Sequence, residues 1–475
     1  MSISFPLQAS YFVATLLLIL GLKRMSSPRT ARNGIVWAGV GMLIAAVVTF
    51  VYLPGVSSST EQGHSGHRLI LIFIAVVVGA VPAWWTGRRV PLTEMPQMVA
   101  IYNGLGGGAA ATIAAVEMYS GRAYGGSLAF PIIAVIGALF GSAAFGGSVV
   151  AFLKLQGWMG SPRISGRNVI NAILLAAVLA LTFASIHPAW VSAFSPSVAW
   201  LVSVFLMASL VLGIFVTLPI GGADMPVVIS TYNACIGLAV GFEGFVVQNP
   251  AMIIAGTIVG AAGTLLTVLM ARAMNRSFVS VWFSGFGDVT AAAASGPART
   301  MNSMDARDAV ATMAYSESVI VVPGYGLAVA QAQHKLWELV QMLQAKGVKV
   351  KFAVHPVAGR MPGHMSVLLA EAGVPYDLIF DLEEINSDFA NADVALVIGA
   401  NDVVNPAARS DKSSPIYGMP ILNADQAKQV LVIKRGTGAG FAGIQNELFF
   451  GANTHMVFGD AQSVISHMIQ GLKEV

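Results

Sequence analysis

The sequence predicts two modules: a polytopic all-α membrane bundle of about nine transmembrane helices, then an α/β doubly wound, Rossmann-like parallel-sheet domain. Three observations carry that expectation. Of 475 residues, 56% are hydrophobic and only 10% charged, against about 25% in soluble domains, and the mean hydropathy is +0.72. Charged residues are scarce before Arg272 and ordinary in number from Met301 to Val475. In that second part, short β-branched runs alternate with amphipathic stretches, as strands do with crossover helices.

A bilayer span needs about 20 mostly apolar residues. Nine stretches qualify: Leu7–Leu22, Gly34–Leu53, Leu69–Trp85, Met95–Tyr119, Leu128–Leu153, Asn168–Ile186, Val198–Leu218, Pro226–Val247 and Ala251–Ala271. The first lacks a preceding basic segment and a convincing cleavage site, so it reads as a retained span. Lys23, Arg24, Arg29, Arg32, Arg88, Arg89, Lys154, Arg163, Arg167, Arg272 and Arg276 fall on one side of these spans, and only Arg68 and Arg122 on the other. Basic loops stay in the cytoplasm, which puts the N-terminus outside and the C-terminal half inside.

Small residues crowd several spans, among them Gly107, Gly141, Gly256 and Gly260, and predict close helix packing. Polar side chains at membrane depth are costly without a partner or a wet path. Asn103 and Asn233 lie inside the fourth and eighth spans, Asn171 near the start of the sixth, Asp224 just before the eighth, and Glu117 and Glu243 near outer ends. No histidine lies mid-span.

A single cysteine, Cys235, excludes a disulfide framework and a cysteine metal cluster within the chain. The net charge of +3 reflects basic membrane-flanking loops, and without a basic cluster interleaved with aromatics there is no case for nucleic acid. No carboxylate cluster or other metal-binding motif is present, so no metal is expected. From residue 273 to 314 hydrophobic periodicity fades and Gly, Ser and Ala collect, which reads as a hinge between the membrane domain, 1–272, and the α/β domain, 315–475.

Within the α/β domain, strands are expected at Ser318–Val322, Val348–Val354, Leu378–Phe380, Val394–Gly399 and Gln429–Lys434, with His455–Phe458 as a sixth. The run Val319–Gln331, V-I-V-V-P-G-Y-G-L-A-V-A-Q, passes from strand through a glycine pair to a helical pattern. That is how a dinucleotide-binding unit opens, with Gly324 permitting the turn and Gly326 a close approach to pyrophosphate; Tyr325 and Ala330 flank it, and Val329 takes the third fingerprint position. Polar and glycine-rich clusters at Gly324–Gly326, His355–His364, Gly399–Asn405 and Lys434–Phe441 follow strands, where such sheets bind ligands.

An NAD site usually places an acid after the second strand, on the ribose 2′-hydroxyl. Here His355 stands there, while Lys434 and Arg435 after the fifth strand offer two cations to a 2′-phosphate, so the site is expected to prefer NADP(H). Arg360 is placed to reach the pyrophosphate, Asn401 and Asp402 to bond ribose or carboxamide groups, and Gly440 and Phe441 to form a strap over the cofactor. No nucleophile–base pair and no second dinucleotide fingerprint occur, which suggests that hydride leaves to another protein. The rival reading is an NADP(H)-gated ion channel or secondary transporter, which should show broken helices at mid-membrane.

The motifs A-D-M-P-V-V-I-S at 223–230, A-M-N-R-S-F at 273–278, P-G-Y-G-L-A-V-A-Q-A-Q at 323–333, H-P-V-A-G-R-M-P-G-H-M at 355–365, V-I-G-A-N-D-V-V-N-P-A at 397–407 and G-F-A-G-I-Q-N-E-L-F-F-G at 440–451 carry a family likeness. Over its whole length the chain resembles the beta subunit of bacterial proton-translocating NAD(P) transhydrogenase. That resemblance implies an inner-membrane protein that binds NADP(H) and exchanges hydride with NAD(H) on an alpha subunit while a proton crosses. It also implies an assembly with two copies of each subunit. Position by position it implies pyrophosphate binding at Gly324–Ala330, 2′-phosphate binding by Lys434 and Arg435, and a catalytic, proton-coupled role for Asp402. It implies coupling roles for Asp224 and Arg276 and a polar channel position for Asn233. Some relatives have a histidine in the fourth span, where this chain reads Ile101, Tyr102, Asn103.

Overall fold

The computed structural model describes residues 5–25, 28–56, 65–91, 94–124, 127–160, 166–186, 198–221, 224–274, 300–361, 363–414, 416–438, 440 and 442–474. Among them nine helices are long and apolar enough to cross a membrane. They are α1 Phe5–Met25, α2 Pro28–Val56, α3 Ser65–Arg89, α4 Met95–Tyr119, α5 Ala129–Leu155, α6 Arg167–Ile186, α7 Val198–Thr217, α8 Met225–Val246 and α9 Pro250–Ala273. Several run past the apolar stretch into basic ends. There Arg24 stacks on Trp37, Arg88 on Trp84 and Arg89 on Trp85, with guanidinium carbons 4.2, 4.5 and 4.6 Å from the ring centroids. Such pairs suit the boundary between hydrocarbon and water, where a charge stays wet and its aromatic partner does not.

The glycines act as contact points. A Cβ at Gly107 of α4 would stand 2.8 Å from the carbonyl oxygen of Gly141 in α5, and one at Gly141 2.7 Å from that of Gly107. In the same way Gly237 of α8 faces Gly260 of α9, and Gly213 of α7 lies against the backbone of Ala143 in α5. In a bilayer, where apolar surfaces gain nothing by leaving lipid, close backbone contact supplies the association. Gly213→Ala is expected to cost about 1–3 kcal/mol of overpacking and to lower the heat stability of the purified chain. Gly79→Ala, with nothing within 4 Å, should be silent in the same assay.

The α/β domain carries one six-stranded sheet: β1 Ser318–Pro323, β2 Lys349–Val354, β3 Ile379–Asp381, β4 Val394–Ile398, β5 Gln429–Lys434 and β6 Thr454–Phe458. Their order is β3-β2-β1-β4-β5-β6 and every pairing is parallel. Both faces are covered, so the central strands β1 and β4 are almost wholly apolar and their residues divide by parity. Val319 and Val321 pack with α10 Ala306–Ala314, α12 Gln333–Ala345, α13 His364–Glu371 and α14 Ala461–Glu474. Ile320 and Val322 face the opposite layer, built on Phe389, Val404 and Phe449 from short helical turns. At the N-terminal strand ends, Asp393 accepts bonds from the Glu317 and Ser318 amides at 2.9 and 3.0 Å and from Lys428 Nζ at 2.7 Å, tying β1, β4 and β5 together.

Two differences from the sequence reading have clear causes. Part of the stretch expected as a hinge belongs to the sheet domain: Ser303 bridges Met456 of β6, and Ala306, Ala309, Val310 and Met313 of α10 are core residues. Their small size blurred the periodicity, yet they lie on one helix face. The helical pattern after Gly326 is broken in two, α11 Tyr325–Val329 and α12, because Gln331 takes a left-handed φ of 50°. Ala332 N then bonds to Leu327 O at 3.2 Å, closing α11 and redirecting the chain into α12.

Candidate nucleotide site

The strand order reverses between β1 and β4, the point at which sheets of this kind bind ligands beyond the strand ends. A cleft of about 300 Å³ opens at this edge. Gly326 and Ala330 line it from beyond β1, Gly399, Ala400 and Asn401 from beyond β4, and Ile433, Lys434, Arg435, Gly436 and Gly438 from β5 and its loop. Gly459, Asp460 and Ala461, from β6 and the start of α14, complete the wall.

The glycines meet each other here. Gly324 has an extended φ of −133°, so the turn needs no left-handed residue. Its missing side chain matters because a Cβ would strike the backbone of Gly399 and Ala400. Gly326 lies against Gly399, where a Cβ would stand 2.7 Å from the Gly399 Cα, and its N–H donates to Gly399 O at 3.0 Å. That donor is spent within the chain, so what Gly326 offers a ligand is closeness. Gly399 does need its freedom, with φ at 65°.

Lys434 lies at the cleft end of β5, donates to Gly438 O and stands 5.2 Å above the Phe449 ring. Burial lowers the Lys434 ammonium from its ordinary range, and the charge of Asp402 pulls it back. Asp402 in turn holds the strap: its Oδ2 accepts the Ala442 N–H at 3.0 Å, and a Cβ at Gly440 would fall 2.8 Å from its Cγ. Asn401 receives the Asn446 amide on its backbone O at 2.9 Å and on Oδ1 at 3.1 Å.

A second group gathers around Tyr325 without lining the cleft. The Arg360 guanidinium lies 4.4 Å from the Tyr325 ring centroid, and the His364 ring is 6.3 Å from it. His364 Nδ1 accepts the Arg360 N–H at 3.0 Å, which fixes the turn that carries the arginine. Val329 is largely exposed at the surface of α11.

His355 is 1% exposed, its Nε2 pairs with Pro420 O at 2.8 Å, and its Nδ1 accepts the Val357 N–H at 3.2 Å. Both ring nitrogens are engaged inside the chain, so the residue ends β2 as a neutral post. Burial pushes its imidazole down from 6.5 to about 4, and the bond to Pro420 opposes the shift. The native state therefore resists a proton that the unfolded chain accepts. Its contribution is complete above pH 6.5 and is lost as pH falls toward 4, about 3 kcal/mol in all. Thermal unfolding of the purified chain between pH 7 and 4 should show that slope, and His355→Gln should flatten it.

Phe441 and Arg276 lie outside the described residues. In the membrane helices, half-buried Asn103 of α4 and Asn233 of α8 sit on elements in contact, since a Cβ at Gly107 would be 3.3 Å from Ile236. Asp224 is 1% exposed just before α8. The sequence reading missed Gly459, Asp460 and Ala461. The rule that ligands sit at carboxyl strand ends, applied to the sixth run, would have found them.

The model of the NAD(P) transhydrogenase beta subunit family matches residues 7–471. The chain belongs to that family. Two relatives from Rhodospirillum rubrum, each called NAD(P) transhydrogenase subunit beta, are 44% identical to it over 473 residues, covering 98% of this chain and 98% of their own. Membership makes the chain a subunit of an oxidoreductase, and its two modules are a membrane-spanning helical bundle and a Rossmann-like domain.

Proposed function

We propose that the cleft binds NADP(H), that its hydride is exchanged with NAD(H) on an alpha subunit, and that the exchange is coupled to proton passage through the helices. The observation that carries this is the pair Lys434 and Arg435 lining the cleft, while His355, in the position of the usual acid, is buried and neutral. The residues fit a dinucleotide. Gly326 and Gly399 leave the backbone bare, Asn401 offers an amide, and the two lining cations would hold an extra phosphate. When bound, the nicotinamide supplies the hydride. The chain orients it, excludes water with the 436–442 strap, and positions the Asp402 carboxylate beside that strap.

Further parts of the reading follow from the family and the loop charges. The chain sits in a bacterial inner membrane with its N-terminus periplasmic and the nucleotide domain cytoplasmic, in an assembly with two copies of each subunit. Asn103, Asp224, Asn233 and Arg276 serve the proton path or its coupling, and Phe441 covers the cofactor. The test uses vesicles containing this chain and its alpha partner, following NADPH-dependent reduction of an NAD+ analogue with a pH dye in the lumen. Hydride exchange that moves protons, and slows against an opposing gradient, is the expected result. NADPH binding that alters ion flux without hydride exchange would replace it with the gated transporter.

A further inference from the structure

The amides of Asn103 and Asn233 do not ionise near neutral pH, so an ionisable carrier among these helices has to be another side chain. Helix α8 has an acid at each end. Asp224 immediately precedes it and Glu243 comes 243 − 224 = 19 residues later, with Asn233 between them. At 1.5 Å per residue that is about 28 Å, the thickness of a bilayer's hydrocarbon core.

Glu243 is 0% exposed, and among the described residues neither carboxylate oxygen meets a hydrogen-bond donor. Its place is shaped by its neighbours. On α5, Gly137 leaves open the space its carboxylate fills, for a Cβ there would collide with Oε1 and stand 3.3 Å from Cδ. Phe130 of α5 and Phe245 of α8 meet across the same pair of helices, with ring centroids 5.7 Å apart.

Glu117 of α4 is near enough to act on Glu243 electrostatically, but its own charge is taken by Arg122, with Nη2 3.1 Å from Oε1. The helices α5 and α9, also packed on α8, carry only Lys154 and Arg272, both at the ends far from Glu243. Glu243 is thus an acid without a counter-charge among the described residues. An ionised carboxylate so placed costs several kcal/mol unless a donor or water reaches it, and the neutral acid does not.

We propose that Glu243 is a proton-carrying group of the membrane helices, seated over Gly137 and governed by the neighbouring Glu117–Arg122 pair. The inference rests on the proton-coupled reading above. The step is a simple exchange: an O–H bond forms when the carboxylate takes a proton from the outer aqueous side and breaks when the proton moves inward, with no electrons transferred. Arg122 helps by keeping Glu117 from adding a second uncompensated charge.

The test is made on the assembled enzyme in vesicles. Glu243→Gln should lower proton uptake and the proton-coupled hydride exchange at least tenfold, while NADPH still binds, as read by its fluorescence. Glu243→Asp should recover part of the rate with a pH profile displaced from that of the wild type. Coupled turnover in E243Q at the wild-type rate and pH profile would overturn the proposal and leave the coupled enzyme standing. Hydride exchange without proton movement in the wild type would remove both. Should E243Q fail to accumulate in the membrane, E243D decides: an unmoved pH profile assigns Glu243 a structural role only.

Discussion

Lys434→Ala is expected to weaken NADPH binding about 10- to 100-fold and to leave NADH binding within about twofold. A charge-assisted hydrogen bond to a phosphate contributes about 1.5–3 kcal/mol, and 1.4 kcal/mol is a tenfold change. Lys434 also donates to Gly438 O, so the variant should loosen the loop that lines the cleft and shorten NADPH residence. Arg435→Ala should act in the same direction, since Arg435 lines the same wall. The double variant should fall short of the sum, because neighbouring cations share one dianion. Fluorescence titration with both nucleotides checks all of this. Equal weakening toward NADPH and NADH would place the cations on a group common to both.

Gly399→Ala should be the most damaging single substitution in the α/β domain. Gly399 has φ at 65°, and a Cβ there would stand 2.5 Å from Leu327 N and closer still to Gly326 Cα, both backbone atoms that cannot swing away. Positive φ alone costs a non-glycine residue about 1 kcal/mol. Parting the two loops should add overpacking of about 1–3 kcal/mol and lift Gly326 off the cleft floor. Gly347 separates the two effects, for its φ is 91° in open space. Gly347→Ala should lower the melting temperature slightly and leave NADPH binding unchanged, whereas Gly399→Ala should lose about 100-fold or more in affinity. Equal behaviour of the two variants would mean that strain, and not the glycine contact, is what matters.

Much of the architecture was legible in the chain because it depends on period and length. Twenty apolar residues cross a bilayer whatever their order, so nine spans could be counted. Six β-branched runs separated by crossovers make a parallel sheet because a strand buried on both faces must be apolar throughout. Lys434, Arg435, Asn401 and Gly326 could be placed together since strand ends in such a sheet converge. Those are one-dimensional rules, and the sequence alone determined them.

What the tertiary structure decided were choices between identical residues in different surroundings. Nothing local tells Gly324, which makes room for Ala400, from Gly399, which also needs its left-handed φ. His355 looks like a ligand in sequence, and only the approach of Pro420, 65 residues on, makes it a buried post. The alanines of α10 read as linker until β6 and α14 supply the surface that buries them. Glu243 is one of two acids near outer span ends until α5 packs beside it, with Gly137 leaving room for the buried carboxylate. In each case the deciding energy is burial, steric contact or a hydrogen bond with a partner far along the chain, and such partners exist only once the chain has folded.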